Sequence, residues 1–262
     1  MSYIKDSDLE FLKDCDSTDL NDLVYCLTHD PKDNKTRWSE ELTSRDRYKK
    51  YYPNHSEYWE DIAGEIQCFG ANSFATIFRR GKGVLYREIL TDVCKETMSK
   101  FKDREQPIEA IEDALLIEIF GKALSQMSEE DIKKLGISFN INDISKLTSS
   151  TLLALAQTIF KLGGFKSYQL TLIIANSVSK ALFARGLTFA GNATLTRSVG
   201  LLAGPIGLGI TTLLTAIDLA GPAYRVTFPA VIYVALLRKK YNLTVEEKQK
   251  AALHEVFDID DL

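Results

Sequence analysis

Histidine, cysteine and tryptophan are scarce in this chain: three, four and two residues among 262. Cys15, Cys26, Cys68 and Cys94 are far apart and form no CxxC pair, which excludes a disulfide framework and a zinc ribbon. Cys26 and His29 stand at CxxH spacing, but no second pair follows at a matching interval. They read as a small buried thiol and a surface imidazole, and no metal site is expected. The sequence also lacks a GxSxG elbow, an HExxH pair, a GxxxxGK[ST] phosphate loop and a glycine-rich dinucleotide fingerprint. No cofactor and no catalytic residue is expected, although a triad assembled from distant residues needs only closeness in space. Alternating apolar and polar runs long enough to compete as a sheet are missing too, which leaves an all-α fold as the simplest reading.

Charge is plentiful and unevenly placed. The formal net charge of −4, with 45% hydrophobic and 26% charged residues, fits a folded chain and argues against both disorder and a general nucleic-acid binder. Residues 1–140 carry 28 acidic against 20 basic side chains, residues 141–240 only 2 against 10, and the stretch after Lys240 turns acidic again. The reading is an acidic helical region 1–140, a basic apolar module 141–240 and an acidic tail 241–262, with a soft boundary in the polar stretch 136–150. A cationic module between acidic ones suits attraction to anionic lipid, and neutralisation within the chain explains it equally well. The opening MSYIKDSDLEFL has neither a basic start nor an apolar core, so the expectation is a cytosolic chain rather than an exported one.

One segment stands apart from this charged background. Ser198 to Ile217 runs for a membrane-spanning length without a charge, and Val226 to Leu237 follows as a second, shorter apolar arm that stops at Arg238, Lys239 and Lys240. Gly221-Pro222 between them favours a turn, so residues 198–237 read as an apolar C-terminal helical hairpin of a multi-helix globular protein. Asp218 and Arg225 are expected to close that turn as a charge pair. Three environments fit the hairpin: the centre of a soluble helical core, a shallow or conditional membrane insertion, and a permanent transmembrane pass. The cost of placing Asp218 and Arg225 in lipid weighs against the last.

Elsewhere the periodicity is helical. Trp59, Ile62, Ile66, Phe69, Ser73 and Ile77 repeat at three- and four-residue steps, as do Ile108, Ile111, Leu115, Ile119 and Ala123, and Leu85, Ile89 and Val93 continue the pattern between them. Ser7 with Glu10, and Ser128 with Asp131, match helix-capping patterns. The candidate ligand site is the basic loop before the third of these stripes. Gly81 and Gly83 free the backbone ahead of a helix expected from Val84, and Arg79, Arg80, Lys82 and Arg87 surround its start with positive charge, a favourable place for phosphate or carboxylate. The alternative is a basic loop paired with the acidic amino-terminal face. A pocket there would join these cations to Glu65 or Asp92. The tract YKKYYPNHSEYW, Tyr48 to Trp59, could stack on single-stranded nucleic acid, but its acidic setting favours an aromatic corner between helices, and nucleic acid is not an expected partner.

YIKDSDLEFL near the start, IAGEIQCFG (Ile62 to Gly70), GKGVLYREILTDVC (Gly81 to Cys94) and AYRVTFPAV (Ala223 to Val231) together resemble the bacterial YaaW family, in the same order and over most of the chain. The opening segment resembles the short domain of unknown function at the start of such proteins, whose members are sometimes labelled as similar to ubiquinol–cytochrome c chaperones. The resemblance implies a bacterial cytosolic origin and assigns no catalytic residue. The leading expectation is a non-enzymatic helical interaction protein, chaperone-like or conditionally associated with the inner membrane, with a protein partner and an anionic membrane surface as its contacts. The alternatives are a pore-forming or membrane-stress effector, and an anion-ligand sensor or enzyme built on the loop 79–87.

Overall fold

Between Val226 and Leu237 only Thr227 interrupts the apolar run, and a helix without a polar face has to be enclosed on every side. The computed structural model describes residues 3–71, 83–101, 106–139, 141, 143–188, 206–207, 210–211, 221 and 223–257. Its helices are α1 (Ser17–Thr28), α2 (Asp46–Tyr51), α3 (Trp59–Ala71), α4 (Tyr86–Thr97), α5 (Ile108–Ser125), α6 (Glu129–Ser138), α7 (Ser149–Leu162), α8 (Gly164–Phe183) and α9 (Tyr224–Phe257), with short 3₁₀ turns at Glu10–Asp14, Leu42–Ser44 and His55–Tyr58. Among the described residues there is no strand, only an isolated bridge between His29 and Thr36, so the fold is all-α.

The last helix, α9, is the axis of the fold. It packs against α8, α1, α4, α5 and α3, and its residues from Val226 to Leu237 are all buried. Thr227 removes its own polarity by donating its hydroxyl to Ala223 O at 3.2 Å. The second arm of the expected hairpin is therefore core. It also does not stop at the basic cluster: the helix continues to Phe257, because the Lys- and Glu-rich residues that follow are good helix formers. The first arm lies outside the described residues except for Ile206, Gly207, Ile210 and Thr211, of which Ile206 and Ile210 are buried. Among the described residues no helix is long and apolar enough to cross a membrane.

The other stripes are buried where they are described, with Trp59 only partly so, and Ser73 and Ile77 lie outside the described residues. Ile62, Ile66 and Phe69 on α3, and Ile108, Ile111, Leu115, Ile119 and Ala123 on α5, are buried in one apolar cluster that draws on helices from both 1–140 and 141–240. Leu85 is an exception. It precedes α4 as its cap residue and is exposed, while Ile89 and Val93 are buried. Ser128 caps α6 by accepting from Asp131 N at 3.2 Å. The expected cap at Ser7 is absent, because Glu10 opens a 3₁₀ turn instead and the Asp6 carbonyl accepts from Leu9 N and Glu10 N.

The basic cluster is consumed internally. Arg238 Nε donates to both Glu112 oxygens (3.1 and 3.0 Å) and its Nη2 to Asp8 O (2.6 Å); Lys239 pairs with Asp113 at 2.5 Å and Lys240 with Asp19 at 2.6 Å. Glu112 is only 2% exposed, and the Tyr86 hydroxyl donates to it at 2.8 Å. The Arg238 guanidinium also lies 4.4 Å from the Phe11 ring centre. Removing one partner of such a pair strands the other charge in the core. Arg238→Met should cost about 3–5 kcal/mol in urea denaturation, whereas Arg238→Met with Glu112→Leu should return to within about 2 kcal/mol of the parent. Additive losses in the double variant would show that the two side chains do not act as a unit.

Candidate functional site

The helix start that the sequence marks for an anion is occupied by the chain's own carboxylate. α4 begins at Tyr86 rather than Val84, and Tyr86 N donates to Asp6 Oδ2 at 2.7 Å. Asp6 is buried there and held in place. Its Oδ1 accepts from Asp8 N at 3.0 Å, and Gln67 on α3 grips the same segment through Ile4 N (2.9 Å) and Ile4 O (2.8 Å). Gly83 suits this closeness, since a methyl group on it would meet Gln67 Cβ at 3.1 Å, tighter than an ordinary contact. Orphan N–H groups and the helix dipole attract negative charge to this point, and Asp6 supplies it. Arg79, Arg80, Gly81 and Lys82 lie outside the described residues.

The described members of that candidate site take separate partners. Arg87 Nη1 donates to Gln106 O at 2.9 Å, Asp92 lies 3.7 Å from Lys95 on the surface, and Glu65 Oε1 accepts from Glu41 N at 3.0 Å. Of the expected turn pair, Asp218 lies outside the described residues, while Arg225 stands near the start of α9 and borders a cavity with Asp30, Arg37 and Trp38. Cys26 is buried, donates weakly to Val226 O at 3.8 Å and has its thiol pushed up to about 12 by burial; His29 stacks on Tyr25 at 4.0 Å. Among the described residues no group of three or more His, Cys, Asp or Glu is placed to hold a metal.

The aromatic tract folds on itself as a corner. Tyr48 meets Tyr52 and Tyr58 with ring centres at 5.2 and 5.4 Å, and His55 bonds Tyr58 OH through Nδ1 and Asn21 Oδ1 through Nε2 at 2.7 Å. Burial lowers the His55 pKa to about 4, so the ring is neutral at physiological pH.

An exposed apolar pair lies at the turn between α7 and α8, where sequence reasoning placed no site. Leu162 is 79% exposed and Phe165 54%, and exposed Lys161 and Lys166 flank them. Gly163 and Gly164 both have positive φ, +69° and +67°, which lets two helices meet in a turn too tight to bury its own apolar side chains. The hairpin is fixed at its base, where Phe160 is buried with Lys239 Nζ 5.2 Å from its ring centre. The signal in the sequence is KLGGFK itself: apolar residues on each side of two glycines, enclosed by lysines.

Comparison with known proteins places this architecture in a family. A domain of unknown function, DUF3944, matches residues 3–38, and the ubiquinol-cytochrome C chaperone family matches residues 54–231. A UPF0174 protein of Helicobacter pylori (strain J99) is 44% identical over 256 residues, covering 98% of this chain and 100% of the relative. The UPF0174 protein YaaW of Escherichia coli K12 is 33% identical, covering 93% of this chain and 98% of the relative. No solved structure matches the chain.

Glu65 makes the site region pH-sensitive. Burial raises its pKa from an ordinary 4.5 to about 7, against the smaller lowering from the Glu41 N–H. A carboxyl whose folded pKa is raised contributes stability fully present below 4.5 and lost as pH rises through 7. Glu65→Gln keeps the acceptor for Glu41 N and removes the charge. It should stabilise the protein by about 1–3 kcal/mol at pH 8 and by nothing at pH 4.5, measured by denaturant unfolding at both values. An equal effect at both would mean that the Glu65 carboxyl titrates alike in the folded and unfolded chain.

Proposed function

The chain belongs to the UPF0174 family, and from that premise we propose that it is a chaperone-like helical docking protein whose α7–α8 tip settles on an anionic membrane surface while the core stays closed. The observation that carries this reading is the pair Leu162 and Phe165, held out of the core on a glycine turn between two lysines. Apolar side chains entering the interface and lysines meeting anionic headgroups are the two contributions that peripheral binding requires, each of the lysines adding about 1 kcal/mol. The match to the ubiquinol-cytochrome C chaperone family supports a role in handling other proteins.

Insertion of the apolar arm is the costlier alternative. A bilayer would replace the apolar environment of Val226 to Leu237, but withdrawal of α9 also breaks the pairs of Arg238, Lys239 and Lys240 with Glu112, Asp113 and Asp19. A membrane offers the stranded Glu112 and Asp113 carboxylates no replacement cations of comparable placement. Surface docking leaves all three pairs intact.

Flotation of the full chain with phosphatidylglycerol vesicles and with phosphatidylcholine vesicles tests the proposal. The protein should float with the anionic vesicles only and release above about 0.5 M salt, where the Debye length falls to a few ångströms. Leu162→Ser with Phe165→Ser should lose at least tenfold in vesicle affinity, as should Lys161→Glu with Lys166→Glu, with helical circular dichroism unchanged. Failure to float, or equal floating of both variants, would overturn the reading.

A further inference from the structure

The α7–α8 turn is the end of a longer surface without acids. No Asp or Glu occurs in the sequence between Asp143 and Asp218, a stretch that contains the whole of α7 and α8. On α7, Leu152, Ala156, Ile159 and Phe160 are buried and define the inner face. Thr151, Ala154, Gln157, Thr158, Lys161 and Leu162 are exposed, and steps of three and four residues gather them on the opposite face. From Thr151 to Leu162 this strip is about 16 Å long at 1.5 Å per residue. The one charge among these six side chains is Lys161, at the end that meets the turn.

The hydroxyls on the strip are satisfied by their own helix. Thr158 Oγ1 donates to Ala154 O at 2.9 Å, and Thr151 Oγ1 donates to Thr148 O and accepts from Thr148 N, both at 2.9 Å. Groups bonded in this way lose little when water is withdrawn from them. The carboxylates nearest the turn lie on its other side. Glu109, Asp113 and Glu246 line a small cavity with Lys239, where the two glycines approach α5 and α9, and neither Leu162 nor Phe165 borders it.

We propose that the membrane contact extends from the turn along the outer face of α7, so that this helix lies parallel to an anionic lipid surface over about three turns. The inference rests on the docking reading of the turn and adds to it a footprint and an orientation. Charge complementarity points to lipid as the occupant, because the strip and the turn together present Lys161 and Lys166 and no carboxylate to negative headgroups. The strip is also continuous with Leu162 and Phe165, whose entry into the interface holds α7 against the headgroups. Thr151, Ala154 and Thr158, at the centre of the strip, are short enough to let the helix approach closely. With little apolar area of its own, α7 lies at headgroup depth while the turn goes deeper.

Quenching by brominated lipid separates this footprint from docking through the turn alone. Leu162→Trp and Ala154→Trp are each mixed with phosphatidylglycerol vesicles whose acyl chains carry bromine near the headgroup, and emission is compared with that of the parent, which has Trp38 and Trp59. Both variants should lose emission beyond the loss seen in the parent. Thr151→Glu should lower affinity for unbrominated phosphatidylglycerol vesicles about fivefold with helical circular dichroism unchanged, since glutamate at this position also completes the helix cap. Thr151 stands about 16 Å along the helix from Leu162, about twice the Debye length in 0.15 M salt, so contact through the turn alone leaves the Thr151→Glu affinity at the parent value. Quenching of Leu162→Trp without quenching of Ala154→Trp, or binding of Thr151→Glu within twofold of the parent, would overturn the footprint and leave the docking of the turn in place. No quenching of either tryptophan variant would overturn both.

Discussion

Enclosure of α9 is the constraint on which the other helices depend. Its first half has no polar face to give to solvent, so α1, α3, α4, α5 and α8 are arranged around it, and their own apolar stripes face inward because it is there. The polar cluster of Arg238, Glu112 and Tyr86 sits where the buried half of α9 ends. Apolar packing of this kind tolerates sliding along a helix axis. A charge pair with defined hydrogen bonds does not, so the cluster sets the register of α9 against α4, α5 and the Asp8 carbonyl.

The charge asymmetry of the chain takes its meaning from the same helix. Acids from α1 and α5 meet three consecutive cations of α9, so the basic apolar part and the acidic part neutralise each other across the core rather than along the chain. Lys161 and Lys166 stay on the outside beside exposed Leu162 and Phe165, on a turn that the core does not need for its own completion. Surface charge and surface hydrophobicity thus coincide at the α7–α8 turn, and the cationic patch expected at the end of the apolar arm is spent in holding the fold together.

Helical periodicity made much of the fold legible. The stripes on α3 and α5, the cap at Ser128 and the all-α class follow from spacing alone, because three- and four-residue steps leave little alternative when no alternating run competes. Pairings over long sequence separation were hidden. That Asp6 would cap α4, or that Glu112 would receive Arg238, depends on the packing of whole helices, and neither residue carries a local pattern that announces it. Leu85 and Ser7 misled for the opposite reason, since each fits a local pattern that tertiary contacts override. The exposed α7–α8 turn is readable in KLGGFK but is overshadowed by longer apolar runs. Nothing local marks Arg37 either, since the burial of its Nε and Nη2 without a hydrogen-bond partner depends on how the chain folds around it.

The position of α9 in the chain also has a consequence for biosynthesis. Every helix that surrounds α9 emerges from the ribosome before it, so α1, α3, α4, α5 and α8 are translated while the element that joins them is still missing. Their inward faces remain uncovered for the time taken to synthesise the intervening chain, from a few seconds for α8 to roughly tens of seconds for α1 at about 5–20 residues per second. The native core therefore closes only after α9 has been translated.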